Sequence, residues 1–158
     1  MQKIIPFLWF DAKAEEAMKF YVSIFKKAKV KSVKRWPKGS PFPEGSVMGG
    51  TFVLEGQTFY CMDAGPKFKF TPALSLFVDC KTQKEVDTLY DKLSKGGGEK
   101  HPCGWVNDKF GVSWQIIPDV LGKLMHDKNQ VKAGRVMQAM MQMTKIDIAK
   151  LKKAYAGK

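Results

Sequence analysis

Apolar residues occur in short blocks whose period switches between two and about four, and the switching order repeats. Ile4 to Phe10 is a short apolar and aromatic run closed by Asp11, the pattern of a buried strand. Ala14, Ala17, Met18, Tyr21, Ile24 and Phe25 then recur at helical spacing and give one apolar face. Asp11 stands where an N-cap is expected, and Glu15 and Glu16 occupy the first turn, where the helix dipole favours carboxylates. Val30 to Trp36 alternates and predicts a second strand. Pro37 to Gly45, rich in proline and glycine, predicts a loop. Val47 to Leu54 and Thr58 to Asp63 predict two strands of a hairpin turning at Glu55-Gly56.

After the connector Ala64 to Pro72 the pattern restarts. Ala73 to Val78 predicts a strand, and Thr82-Gln83-Lys84-Glu85 has the spacing of a capping box. Val86, Leu89, Tyr90 and Leu93 follow at helical spacing, and Gly96-Gly97-Gly98 ends that helix. Cys103 to Val106 and Val112 to Ile117 predict strands around the turn at residues 107–111. The two helices align at an offset of 69 residues: Glu16 with Glu85, Ala17 with Val86, Phe20 with Leu89, Tyr21 with Tyr90, Ile24 with Leu93. Residue type and element order agree, so the chain is expected to be α+β, with two βαβββ modules at 1–64 and 72–117.

Beyond Pro118 the pattern turns helical. Val120 to Met125, Val131 to Met143 and Ile146 to Ala154 predict a C-terminal helical extension over 118–158. Val136, Met137, Met140, Met141 and Thr144 are read as one face. A methionine stripe most often packs as flexible core, and the sharper alternative is an adaptable partner surface or pocket wall. Its apolar residues, together with sheet edges, predict a homodimer.

Composition narrows the class. No apolar run is long enough to span a bilayer, and the N-terminus lacks a signal-peptide pattern, so a cytoplasmic protein with no membrane partner is expected. Cys61, Cys80 and Cys103 are odd in number and widely spaced, which argues against a disulfide framework and a CxxC zinc site. The net charge of +12 attracts anions, yet the lysines are scattered and no nucleic-acid motif accompanies them. Specific nucleic-acid binding is therefore not expected.

Two βαβββ modules in one chain of this length resemble the vicinal oxygen chelate superfamily, which includes glyoxalase I, bleomycin resistance proteins and extradiol dioxygenases. Asp11 to Tyr21 resembles its strand-Asp-helix segment, and residues 108–115, Asp-Lys-Phe-Gly-Val-Ser-Trp-Gln, resemble the end of its second module. A narrower resemblance covers nearly the whole chain. Residues 6–10 (PFLWF), 65–70 (GPKFKF), 103–105 (CGW), 111–115 (GVSWQ) and 136–140 (VMQAM) are similar to the PhnB-like, demethylubiquinone methyltransferase-like subgroup.

The resemblance implies a pocket on the curved sheets and, in the superfamily's enzymes, a divalent metal held by His and Glu. Carried onto this chain, the ligand positions fall near Pro6, near Ala73 and on Gln115, with Cys61 or Asp63 for the remaining one. Proline and alanine cannot ligate, and an amide oxygen is a weaker ligand than a carboxylate. No metal or other cofactor is therefore expected. The pocket candidates are Trp9, Cys61, Asp63, Phe68, Trp105, Trp114 and Gln115, any of which can instead fill the core.

Other chemistry is sparse. His101 lies two residues from Cys103, and His126 ends a predicted helix. No nucleophile elbow or P-loop occurs. No Gly-rich turn joins a strand to a helix, the usual entry for S-adenosylmethionine. The expected function is small-molecule binding with a degenerate metal site. The alternative is a glyoxalase- or dioxygenase-like enzyme of the same fold, using a metal or a polar pocket residue.

Overall fold

A computed structural model describes residues 2–158. The chain divides into two compact units, the first ending at Lys69 and the second running from Phe70 to Lys158.

In the first unit β1 (Phe7–Phe10), α1 (Ala14–Ile24), β2 (Ala28–Arg35), β3 (Val47–Leu54) and β4 (Gln57–Asp63) form one sheet of order β1-β4-β3-β2 with one helix. β1 runs parallel to β4, and the other pairs are antiparallel. The β3–β4 hairpin turns at Glu55 and Gly56, both with positive φ, as a primed turn demands. Leu8, Phe10, Phe52, Leu54, Phe59 and Cys61 bury one sheet face beneath Ala14, Ala17, Met18, Tyr21 and Ile24 of α1.

The second unit repeats this plan with β5 (Ser75–Cys80), α2 (Gln83–Leu93), β6 (Glu99–Lys100), β7 (Trp105–Asn107) and β8 (Ser113–Pro118), in the order β5-β8-β7-β6. The 69-residue offset holds in space: α1 maps onto α2 end to end, and Ala17, Tyr21, Val86 and Tyr90 are all buried. The shared order and the two mixed sheets establish the α+β fold with βαβββ modules.

Two local expectations need correction. Asp11 does not cap α1: the cap position is Lys13, and the helix's first amide, Ala14 N, donates to Asp63 Oδ1 at 2.8 Å. The strand expected from Cys103 begins only at Trp105, because Pro102–Gly104 forms a 3₁₀ turn with Cys103 at φ 61°. Thr82 does cap α2, accepting from Glu85 N, while Glu85 accepts from Lys81 N rather than from the cap residue's own amide.

The extension forms α3 (Asp119–Met125), α4 (Gln130–Met141) and α5 (Ile148–Ala156), and it packs on its own unit. Ile117, Leu121, Val136, Ile146 and Leu151 make a buried cluster joined by Met140 and Met143. Cys103 N and Gly104 N donate to the Met143 and Thr144 carbonyls, both at 2.8 Å. Gln83 of α2 holds the same segment from both sides, donating to Ile146 O and accepting from Ile148 N. The methionine stripe thus divides: Val136 and Met140 face the core, whereas Met137 and Met141 are 47% and 60% exposed. On an α-helix, positions 136 and 140 lie on one side and 137 and 141 are rotated about a quarter turn from them.

No helix of the described residues is long and apolar enough to cross a membrane.

Candidate functional site

Each sheet has a second face, opposite its helix, and strand alternation decides what that face carries. In the first unit Phe7 pairs with Tyr60, Tyr60 with Thr51, and Thr51 with Ser32, a row crossing all four strands. The next rung carries Trp9 beside Met62, and Gly49 beside Lys34. Phe7 and Tyr60 meet edge to face at 6.5 Å. Phe7 is 55% exposed and Tyr60 39%, well above the buried positions that alternate with them.

Trp9 is held in place by the connector. Its indole Nε1 donates to Gly65 O at 2.9 Å, and Phe68 packs edge to face on it at 5.0 Å. Phe68 itself is 57% exposed and carries Lys67 Nζ at 5.4 Å from its ring centre. Trp36 ties the neighbouring loop to the end of β4 by donating to Asp63 O at 3.0 Å. A half-buried aromatic corner results on this open face.

Cys61 and Asp63 are on the other side. They alternate with Tyr60 and Met62 and so face α1, fully buried. The Asp63 carboxylate accepts from Ala14 N at 2.8 Å and from Val47 N at 3.1 Å, joining the start of α1 to the start of β3. Burial pushes the Cys61 thiol up to about 12, with the Asp63 charge adding to it, so sulfur stays protonated. Gly50 lies against it: a Cβ there would sit 2.6 Å from Cys61 Sγ and 2.8 Å from Met18 Sδ. Gly49, one residue away and on the open face, has nothing within 4 Å of a built Cβ.

In the second unit Phe77, Gln115 and Trp105 form a row across β5, β8 and β7, and Ser75, Ser113 and Asn107 form the next. Gln115 Nε2 donates to Ser75 Oγ at 2.8 Å, and Ser113 Oγ to Asn107 Oδ1 at 2.9 Å. The Gln115 amide therefore lies between Phe77 and Trp105, with Ser75, Ser113 and Asn107 on the neighbouring rung.

Trp114 belongs to the α2 side with Val106 and Ile116, all buried. Its Nε1 donates to Asp108 Oδ2 at 2.8 Å, while Asp108 Oδ1 accepts from Phe110 N and Val112 N. The Asp-x-x-Gly segment is thus a structural turn knotted around one buried carboxylate.

Of the seven pocket candidates, Trp9, Trp105 and Gln115 stand on open faces, and Phe68 covers Trp9. Cys61, Asp63 and Trp114 face helices, which corrects the expectation that they share a wall with Trp9. Phe7, Tyr60, Met62, Ser75, Phe77 and Asn107 were not singled out from the sequence. Phe7 follows from strand parity with Trp9, whereas Tyr60 and Asn107 need the cross-strand register.

Pro6 only presents its carbonyl to Tyr60 N, and Ala73 sits in a turn before β5. His101 lies 3.7 Å from Glu99 Oε2, and Tyr90 Oη reaches its carbonyl at 3.2 Å. Among the described residues no three of His, Cys, Asp and Glu gather closely enough to hold a metal ion.

Comparison with known proteins matches residues 2–117 to the family model described as 3-demethylubiquinone-9 3-methyltransferase. A Bacillus cereus structure described as a 3-demethylubiquinone-9 3-methyltransferase, PhnB protein, is 43% identical, covering 74% of this chain and 99% of its own, with a TM-score of 0.69. The Pseudomonas aeruginosa protein PA1353 is 19% identical over 75% of this chain and 98% of its own, with a TM-score of 0.64. The Listeria monocytogenes fosfomycin resistance protein FosX, complexed with manganese(II), is 16% identical over 72% of this chain and 90% of its own, with a TM-score of 0.54. The last two establish likeness of fold alone. Among curated proteins none matches the chain. The family match ends at Ile117, so α3, α4 and α5 lie beyond it.

Proposed function

The chain belongs to the PhnB-like family whose model is described as 3-demethylubiquinone-9 3-methyltransferase, within the vicinal oxygen chelate superfamily, and from that premise we propose that it binds a small molecule on the open sheet faces without a divalent metal. One observation carries this reading. The side chains able to ligate, Asp63 and Cys61, are turned to α1 and committed there, while the open face presents Phe7, Trp9, Tyr60 and Met62. A carboxylate accepting two backbone amides is already compensated, and a buried neutral thiol is a poor ligand. Gln115, on the open face of the second unit, offers only a neutral amide oxygen, a weaker ligand than a carboxylate. These residues do not fit the metal that the fold's enzymes use.

Methyl transfer from S-adenosylmethionine has equally little support. The turn from β1 to α1 is Asp11-Ala12-Lys13, and that from β5 to α2 is Lys81-Thr82. Neither offers glycine for close approach of a cofactor to the backbone. The pair Gly49-Gly50 lies inside β3 and the run Gly96-Gly97-Gly98 follows α2.

Titration calorimetry separates the readings. The expected result is no binding of zinc, nickel, manganese or S-adenosylmethionine at micromolar concentration, with small aromatic ligands retained. Stoichiometric metal binding would instead favour an enzyme of the same fold. That second reading draws on Gln115 and on Ser75 and Asn107 of the neighbouring rung, polar groups able to orient a substrate oxygen. A cytoplasmic homodimer is part of the proposal. It rests on Leu74 and Phe77, large and exposed at the edge strand β5, and sedimentation of the intact chain tests it.

A further inference from the structure

We propose that the open face of the first sheet selects a flat apolar molecule bearing an anionic group, with the ring system at Trp9 and the anion toward β2. This rests on the reading of that face as the ligand site and adds the chemical class of the ligand.

Three observations converge. First, aromatic and cationic residues occupy opposite ends of one face. Phe7 and Trp9 lie on β1 and Tyr60 on β4, whereas Lys29 and Lys34 lie on β2, paired with Val53 and Gly49. Second, the space between them is open: a Cβ built at Gly49, between Met62 and Lys34, would meet nothing within 4 Å. Third, the charge is one-sided. The strand positions of this face, residues 7, 9, 29, 32, 34, 49, 51, 53, 58, 60 and 62, include no Asp or Glu. Arg35 is neutralised by Glu15 at 2.7 Å, but among the described residues Lys29 and Lys34 have no ion pair.

The dimensions fit a small molecule. Three strand spacings separate β1 from β2, about 14 Å between backbones. That span leaves room for a fused ring pair stacked at Trp9 and one carboxylate, sulfonate or phosphate within reach of Lys34 on the same rung, with Lys29 further along β2. Cation and aromatic surface each add affinity where the other is satisfied by the same ligand.

Calorimetry on the intact chain at low salt, with naphthoate, naphthamide and naphthylmethylammonium as probes, tests this. Naphthoate is expected to bind about tenfold more tightly than naphthamide, and the ammonium most weakly. The Lys29→Gln/Lys34→Gln variant should abolish the preference, while Lys152→Gln on α5 should leave it intact. Both lysines are exposed on the edge strand β2, so the variant should keep its fold, which circular dichroism checks. Equal affinity for naphthoate and naphthamide, lost in Trp9→Ala, overturns the anion assignment and leaves the ligand site standing. A preference that survives loss of both lysines also overturns it. If none of the probes binds, the ligand-site reading fails and takes the inference with it. Oligo(dT) binding more tightly than naphthoate would overturn the small anion in favour of single-stranded nucleic acid.

Discussion

The Trp114 indole donates to the Asp108 carboxylate at 2.8 Å inside the second unit, and both residues are buried. The other oxygen of Asp108 satisfies two amides of the following turn. Asp108→Ala would leave the indole and both amides without that acceptor, in a place water reaches poorly. Leaving buried donors unpaired costs about 1–3 kcal/mol each, so a loss of at least about 3 kcal/mol is expected by urea unfolding. Asp108→Asn, which keeps one acceptor oxygen, should lose less. Equal, small losses for both would contradict the role assigned to this carboxylate.

The adjacent glycines of β3 should respond in opposite ways. Gly50→Ala drives a methyl into Cys61 and Met18 beneath α1, and overpacking of this kind costs about 1–3 kcal/mol. Gly49→Ala points into open space and should leave stability unchanged. The midpoint of urea unfolding for the two variants decides the matter.

The thiols should separate by reactivity. Cys61 and Cys80 are both pushed up to about 12 by burial, so their thiolate fraction stays small up to strongly alkaline pH. Iodoacetamide at neutral pH should label Cys103, which is only half-buried, well before the other two. Peptide mapping after a short exposure gives the order. Early labelling of Cys61 would mean that α1 does not shield it.

Removal of 129–158 should uncover Ile117 and Leu121, which the extension buries with Val136, Ile146 and Leu151. The expected outcome is aggregation or strong dye binding, since an apolar patch of this kind rarely stays exposed. A milder probe is Gln83→Ala, which removes both contacts from α2 to the Ile146–Ile148 segment. It should speed hydrogen exchange at the Ile148 amide while the sheets keep their protection.

The architecture was largely legible in the sequence because its signals are local. Helical spacing at Ala17, Tyr21, Val86 and Tyr90, strand alternation, and the Glu55-Gly56 turn each depend on near neighbours. The 69-residue offset then supplied the repeat. Three kinds of feature escaped. The cap of α1 comes from Asp63, on β4 and remote in sequence, so the nearer Asp11 was the natural but wrong choice. β6 is two residues long and exposed, leaving no hydrophobic pattern to read. The methionine face splits because Met137 and Met141, apolar like Val136 and Met140, lie about a quarter turn away from them.

The candidate site is legible in the sequence only by residue type. Residue type alone does not separate Trp9, Trp105 and Gln115, on the open faces, from Trp114, Cys61 and Asp63, which face helices. Period-two alternation along Thr58 to Asp63 separates Cys61 and Asp63 from Tyr60, so part of this was within reach of the sequence. The identity of the neighbours, Tyr60 beside Phe7 or Asn107 beside Ser113, depends on register between strands far apart in the chain.

Methionine methyl resonances discriminate between the two faces of the first sheet, because the first unit carries a reporter on each. Met62 stands on the open face beside Trp9, whereas Met18 is buried beneath α1. In protein labelled with carbon-13 at the methionine methyls, titration with naphthoate in the absence of added metal should shift Met62 with saturation and leave Met18 in place. Shifts confined to the extension's Met137 and Met141, or no Met62 response until a divalent metal is supplied, would contradict a metal-independent ligand site on the open face.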